Sequence, residues 1–151
     1  MTKKKTRHDA GELEQKIRRF EERCRGYGLK VTPQRVVIYR ELVKSREHPS
    51  AEVLYGRVKK ILPSISLDTV NRTLLMLTEI GAAFIVEGSG DAKRYDGGSE
   101  EHQHFRCVRC RRVIDFCYEP FERIELPAAI LKGCKVLRKT VYVEGLCERC
   151  A

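Results

Sequence analysis

Tryptophan is missing from this chain, histidine occurs only four times, and no stretch of it is continuously apolar for long. The missing apolar stretch excludes a bilayer-spanning helix, which needs about 20 such residues. No internal repeat is present, which excludes a solenoid, and no low-complexity tract marks a disordered segment. The opening MTKKKTRHDAGELEQ is basic but has no apolar core behind it, so it does not read as a secretory signal. The expected compartment is therefore the cytoplasm. Acidic residues are the minority, 21 against 30 Lys and Arg in 151 residues, for a net charge of +9. Such an excess suits a polyanionic partner, most often nucleic acid. Hydrophobic residues make up 42 % of the chain, enough for a folded core. Cysteine, by contrast, is plentiful. Seven of them in a cytoplasmic chain argue for metal ligation or buried thiols rather than disulfides.

Apolar spacing organises the first two thirds. Leu13, Ile17, Phe20 and Cys24 recur at helical intervals and predict an amphipathic helix over about residues 9–25, with Gly26 and Gly28 as stop signals. Thr32-Pro33 reads as an N-cap followed by proline at the first helical position, and Val36, Val37, Tyr39, Leu42 and Val43 supply that helix's buried side. Ser50 caps a third helix expected to reach Leu62, where Pro63 ends it. Ser66 caps a fourth, with Leu67, Val70, Leu74 and Leu77 on one stripe and Gly81 beyond its end. AFIVEGSGDAKRYD then reads as a hairpin around Gly-Ser-Gly-Asp. Helices followed by a hairpin is the order of a winged helix-turn-helix, whose last helix would enter a DNA major groove. A small helical domain carrying a β-ribbon and no DNA role has the same order.

Near Gly97-Gly98 the chain changes character, so residues 1–97 are expected to form one domain and 98–151 a second. The second should hold strands at His104–Cys107, Arg112–Phe116 and Val136–Val143 and a helical stretch near Phe121–Leu131 that Pro127 interrupts. The whole is α+β, and its second half is small enough to need a staple.

Cys107-Val108-Arg109-Cys110 and Cys147-Glu148-Arg149-Cys150 provide it. Two residues between thiolates let both sulfurs reach one ion, and two such pairs complete a tetrahedral all-sulfur site suited to zinc. With four protein ligands the site is closed, hence structural. A redox-active CxxC would need a helix N-terminus that neither pair has. Cys24, Cys117 and Cys134 are scattered and are expected to be buried as small hydrophobes.

Three of the four histidines form a second constellation. His102 and His104 sit at i and i+2 on a strand, so their imidazoles share a face and can chelate one ion. Asp96, Asp115 and, far off in sequence, His48 could join them. Imidazole with carboxylate suits Fe(II), Mn(II) or Zn(II). Each residue also has a plainer reading: His48 as a helix cap, the aspartates as surface charges, the histidine pair as coincidence.

LKVTPQRVVIYREL, EHPSAEVLY, SLDTVNRTLLMLTEIG, KRYD, HQHFRCVRCRRVIDF and EGLCERC, in that order and spacing, resemble the ferric uptake regulator family along nearly the whole chain. The resemblance implies a winged-helix domain, a hinge, a dimerisation domain with a four-cysteine zinc site, and a regulatory metal site formed by His48, Asp96, His102, His104 and Asp115. It implies a homodimeric repressor of palindromic double-stranded DNA, with no membrane role and no enzymatic one. Aspartates at 96 and 115, where the iron-sensing branch usually has glutamate, look like the peroxide-stress regulator branch. There, Fe(II) in the regulatory site leads to oxidation of a ligand histidine by peroxide, whereas Mn(II) protects. The alternative is an iron-responsive repressor of metal uptake genes. Where the family usually reads TVYR, this chain has Thr69-Val70-Asn71-Arg72. Ser66, Thr69, Asn71 and Arg72 are the expected DNA contacts, with Asn71 able to pair bidentately with adenine. A non-haem iron oxygenase would share the donor types, but nothing in the sequence specifies a substrate pocket. A zinc-ribbon interaction module without a DNA role is a third reading.

Overall fold

Ile17, Phe20 and Cys24 form the buried stripe of α1 (Ala10–Gly26), laid down by apolar residues three or four apart. Phe20 stacks on Tyr39 of α2 (Pro33–Lys44), ring centroids 4.5 Å apart, and so fixes α1 against its neighbour. In this computed structural model, residues 10–86, 92–98, 102–136 and 139–151 are described. They fall into two compact units, one within Lys4–Glu100 and the other within Glu101–Ala151. The basic tip Lys3–Arg7 and the expected Gly-Ser-Gly-Asp turn lie outside the described residues.

In the N-terminal unit the caps are where local chemistry puts them. The side chains of Thr32, Ser50 and Ser66 accept from the backbone N–H of Arg35, Val53 and Thr69, which opens α2, α3 (Ala51–Val58) and α4 (Leu67–Glu79). Helix α3 is shorter than expected. It ends at Val58 rather than Leu62, and Lys60 and Ile61 donate instead to the carbonyls three residues back. Proline at 63 disfavours helical backbone at Leu62, so the chain tightens out of the helix before reaching it. Strands β1 (Phe84–Ile85) and β2 (Tyr95–Asp96) pair antiparallel, Phe84 opposite Asp96.

One core joins these elements. Phe20, Ile38, Leu42, Leu54, Leu74 and Leu77 are each at most 1 % exposed within it. Removing a buried leucine of this kind costs about 2–5 kcal/mol. Lys16, on the buried face of α1, is an exception to the apolar pattern; its ammonium lies 3.0 Å from Glu12 one turn earlier.

The C-terminal unit is a three-stranded sheet ordered β4-β3-β5, with β3 Gln103–Cys107, β4 Val113–Phe116 and β5 Tyr142–Gly145. Strand β4 runs antiparallel to β3 and β5 parallel to it. The last strand begins later than the expected Val136–Val143, because pairing starts only where Tyr142 comes opposite His104. Gly145 fits closely at its end: a Cβ there would stand 3.1 Å from the Phe105 ring, which would have to shift by a few tenths of an ångström. The expected helix at Phe121–Leu131 is instead two short ones, α5 (Glu119–Glu122) and α6 (Ala128–Gly133), with Pro127 as the residue that starts the second.

Two of the scattered cysteines are also corrected. Cys24 is buried as expected, but Cys117 and Cys134 are exposed. The reason is that the C-terminal unit has little interior: among its described residues only Gln103, Cys107 and Cys147 are buried. The architecture is α+β, comprising a winged helix-turn-helix and a small α/β unit. No described helix is long and apolar enough to cross a membrane.

Candidate metal centres and nucleic-acid interface

Strand β3 ends in the first CxxC turn and β5 leads into the second, so the parallel pairing of these strands brings the two pairs together. The ligating atoms of Cys107, Cys110, Cys147 and Cys150 all lie within 4.8 Å of one another, and the sulfurs of Cys110 and Cys147 are 3.7 Å apart. Four sulfurs at about 2.3 Å from one tetrahedral ion have edges of about 3.8 Å, so the set fits zinc. Two local devices shape the turns. Arg111 takes a left-handed backbone, φ 61°, as the chain folds back into β4. The N–H of Cys147 then points at the sulfur of Cys107, 3.4 Å away.

Electrostatics agrees with a resident cation. Backbone N–H groups, that of Cys110 first and that of Cys147 next, pull the Cys107 thiol down to about 6. Burial first, and then hydrogen bonds to the neighbouring sulfurs, push Cys150 up to about 12. Four adjacent thiolates repel one another, and a divalent ion removes that conflict. Arg109 donates to the Cys150 carbonyl at 2.7 Å and Arg112 to Glu148 at 2.7 Å, tying one turn to the other. The second pair is exposed to water and adds little energy.

Candidate nitrogen and oxygen donors occur in both units. In the C-terminal unit His104 pairs across the sheet with Asp115. The two carboxylate oxygens of Asp115 face both histidines, Nε2 of His104 at 3.6 Å and Nε2 of His102 at 3.9 Å. The two rings are edge-to-face with centroids 4.7 Å apart. Donors that share an ion at about 2.1 Å lie roughly 3.0–4.2 Å from each other, so this trio fits a first-row divalent ion.

In the N-terminal unit Asp96 ends β2, and its Oδ2 lies 3.9 Å from Nδ1 of His48. Both residues are buried, at 8 % and 3 % exposure. The other carboxylate oxygen of Asp96 accepts from Gly98 N at 2.7 Å, which sets its rotamer. Unexpectedly, His48 has φ 48°, a left-handed conformation that costs a non-glycine residue about 1–3 kcal/mol. Strain of this kind persists only where its surroundings impose it. Here Arg94, which sequence reasoning passed over within KRYD, donates from Nε to the His48 carbonyl at 2.8 Å and from a terminal nitrogen to the Glu47 carbonyl. The prior signal for Arg94 was its place in KRYD, two residues before the candidate ligand Asp96.

On α4, Val70, Thr73, Leu74, Met76 and Leu77 face the core. Ser66 and Arg72 are exposed, Thr69 and Asn71 half-buried. Ser66 is partly committed to capping: its oxygen accepts from Thr69 N at 3.1 Å and lies 2.9 Å from the Thr69 hydroxyl. Arg72 lies 3.7 Å from Asp68 one turn earlier, both well exposed, so that pair is readily exchanged for another partner.

Comparison with known proteins gives a consistent answer. Residues 26–144 match the ferric uptake regulator family. The peroxide operon regulator of Bacillus subtilis is 31 % identical over 124 residues, 82 % of this chain and 86 % of that protein. The peroxide-responsive repressor of Staphylococcus epidermidis is 29 % identical over 123 residues, 82 % of each. Among solved structures, the Campylobacter jejuni peroxide stress regulator is 31 % identical with a TM-score of 0.64, over 92 % of this chain and 99 % of that one. The Helicobacter pylori ferric uptake regulator has a TM-score of 0.72 at 24 % identity, over 91 % of this chain and 93 % of that one, a likeness of fold. This chain belongs to the ferric uptake regulator family and is a metal-dependent transcriptional repressor, with a four-cysteine cluster that suits zinc and imidazole–carboxylate groups that suit iron or manganese.

Proposed function

We propose that this repressor binds a palindromic operator in the cytoplasm as a homodimer and releases it when peroxide oxidises one of its own histidines. The observation that carries the proposal is the donor chemistry. His48 beside Asp96 in one unit, and His102 and His104 beside Asp115 in the other, offer imidazole and carboxylate only, with no thiolate. An ion taking ligands from both units would hold them at one angle, and in a dimer that angle sets the spacing of two α4 helices on DNA. Ser66, Thr69, Asn71 and Arg72 would make the contacts there.

Dimerisation is supported by the exposed apolar side chains of the C-terminal unit, Ile124, Ile130, Leu131 and Val136, in a unit with little core of its own. The peroxide reading is supported by aspartate rather than glutamate at 96 and 115, and by relatives named for peroxide response.

Bound Fe(II) would supply the electron that cleaves the O–O bond of peroxide, which Mn(II) does not readily give. By the family resemblance, His48 and His102 are the imidazoles expected to gain oxygen, one peroxide oxygen replacing a ring C–H hydrogen as an oxo group and the other leaving as water. An oxidised imidazole is a poor ligand, so His48 would no longer tie its unit to the other and the DNA-competent posture would be lost. The experiment is peroxide treatment of iron- and manganese-loaded protein, read by operator binding and peptide mass. Iron-loaded protein should lose the operator and gain one oxygen on a peptide containing His48 or His102, while manganese-loaded protein does neither. Unmodified histidines in both forms would leave an iron-responsive repressor of metal uptake genes instead.

A further inference from the structure

We propose that Arg94 is a positioning residue for the N-terminal ligands, fastening the loop that carries His48 to the strand that carries Asp96, so that the pair stands assembled before an ion arrives. The inference rests on the reading of His48 as a ligand and deepens it. Arg94 is neither a candidate ligand nor a candidate DNA contact, yet its backbone and its side chain both hold the same loop. Its side chain reaches two successive carbonyls, those of Glu47 and His48. Its backbone forms a β-bridge with Ser50, the residue that opens α3. The next residue, Tyr95, donates to the Pro49 carbonyl at 3.1 Å. On the other side the Arg94 carbonyl accepts from Val86 at 2.9 Å, so the clamp is anchored in the hairpin.

The loop needs such a clamp. His48 sits at φ 48° directly before Pro49, and a residue before proline is already restricted. Left to itself it would return to negative φ and swing the imidazole away from Asp96, now 3.9 Å distant. A guanidinium suits the task because its planar fork presents several donors in fixed directions, whereas an ammonium offers a single point and a carboxamide fewer donors. Arg94 therefore lowers the reorganisation that metal binding would otherwise require, in the way that groups behind metal ligands commonly do.

The test is titration of zinc-replete, full-length protein with Mn(II) against a competing chelator, for wild type, R94Q, R94K, H48A and H48A/R94Q. R94Q should weaken Mn(II) binding by about 10–100-fold, the usual loss for a group that orients a ligand. R94K should retain part of the affinity. In the H48A background R94Q should add nothing, because its effect passes through His48; a merely structural role would weaken binding in both backgrounds. If R94Q does not fold, R94K in the two backgrounds gives the same comparison, with a several-fold loss in the first and none in the second. Wild-type affinity in R94Q, or additive losses in the double variant, would overturn the role of Arg94. Unchanged affinity in H48A would overturn the assignment of His48 beneath it.

Discussion

Asn71 and Arg72 are adjacent on α4 but make different physical demands. An asparagine can accept from and donate to one adenine edge, so its contribution depends on the base opposite. Arg72 is exposed and, among the described residues, pairs with Asp68 at 3.7 Å across water-exposed surface, which leaves it available to a phosphate. Asn71→Ala should therefore cost about 1–3 kcal/mol at the preferred operator and relax the base preference at one position per half-site. Arg72→Ala should weaken binding to all sequences alike and lower the salt dependence by about one phosphate contact. Binding measured on single-base operator variants at several salt concentrations separates the two. A loss for Asn71→Ala that is the same at every base would remove its reading role. A different residue-scale prediction concerns Gly97, next to Asp96. A Cβ there would meet Leu42 Cγ and Val43 Cγ2, each at 3.1 Å, and Val43 N at 3.3 Å. Gly97→Ala should destabilise the N-terminal unit by about 1–3 kcal/mol, seen as an earlier denaturation midpoint.

At the scale of elements, what could be read beforehand was what neighbouring residues decide among themselves. Thr32, Ser50 and Ser66 cap their helices through bonds to N–H groups three residues on, and the CxxC turns need only four residues each. Features set by distant partners were misjudged. Strand β5 starts at Tyr142 because β3 lies alongside it there, and Cys117 and Cys134 are exposed because their unit has little interior to hide them. Lys16 on the buried face of α1 is a local case of another kind: its partner Glu12 is only one turn away, but a count of apolar positions ignores such a pair. The His48 backbone, held by Arg94 46 residues away, was equally beyond local reading. The shortage of buried side chains makes a further prediction about the sheet. With Gln103, Cys107 and Cys147 its only buried described residues, the C-terminal unit should depend on zinc for its fold. Cys147→Ser, or a strong chelator, should abolish its cooperative unfolding transition and leave that of the helical unit in place. A C-terminal transition that survives metal removal, followed by calorimetry, would contradict this.

For the whole molecule, the proposed function depends on two units of different construction acting as one. The helical unit has a continuous core and presents α4, while the smaller unit has a sulfur clamp and exposed apolar side chains. Under the proposed mechanism, ligands contributed by both are the only link that metal occupancy controls. Metal and DNA are then reciprocally coupled, each strengthening the other by the same factor. The measurement that bears most directly on this is operator affinity of the zinc-replete protein with and without Mn(II), at one salt concentration. A gain of about 5–150-fold with Mn(II), corresponding to about 1–3 kcal/mol, is the predicted result; equal affinities would contradict the account.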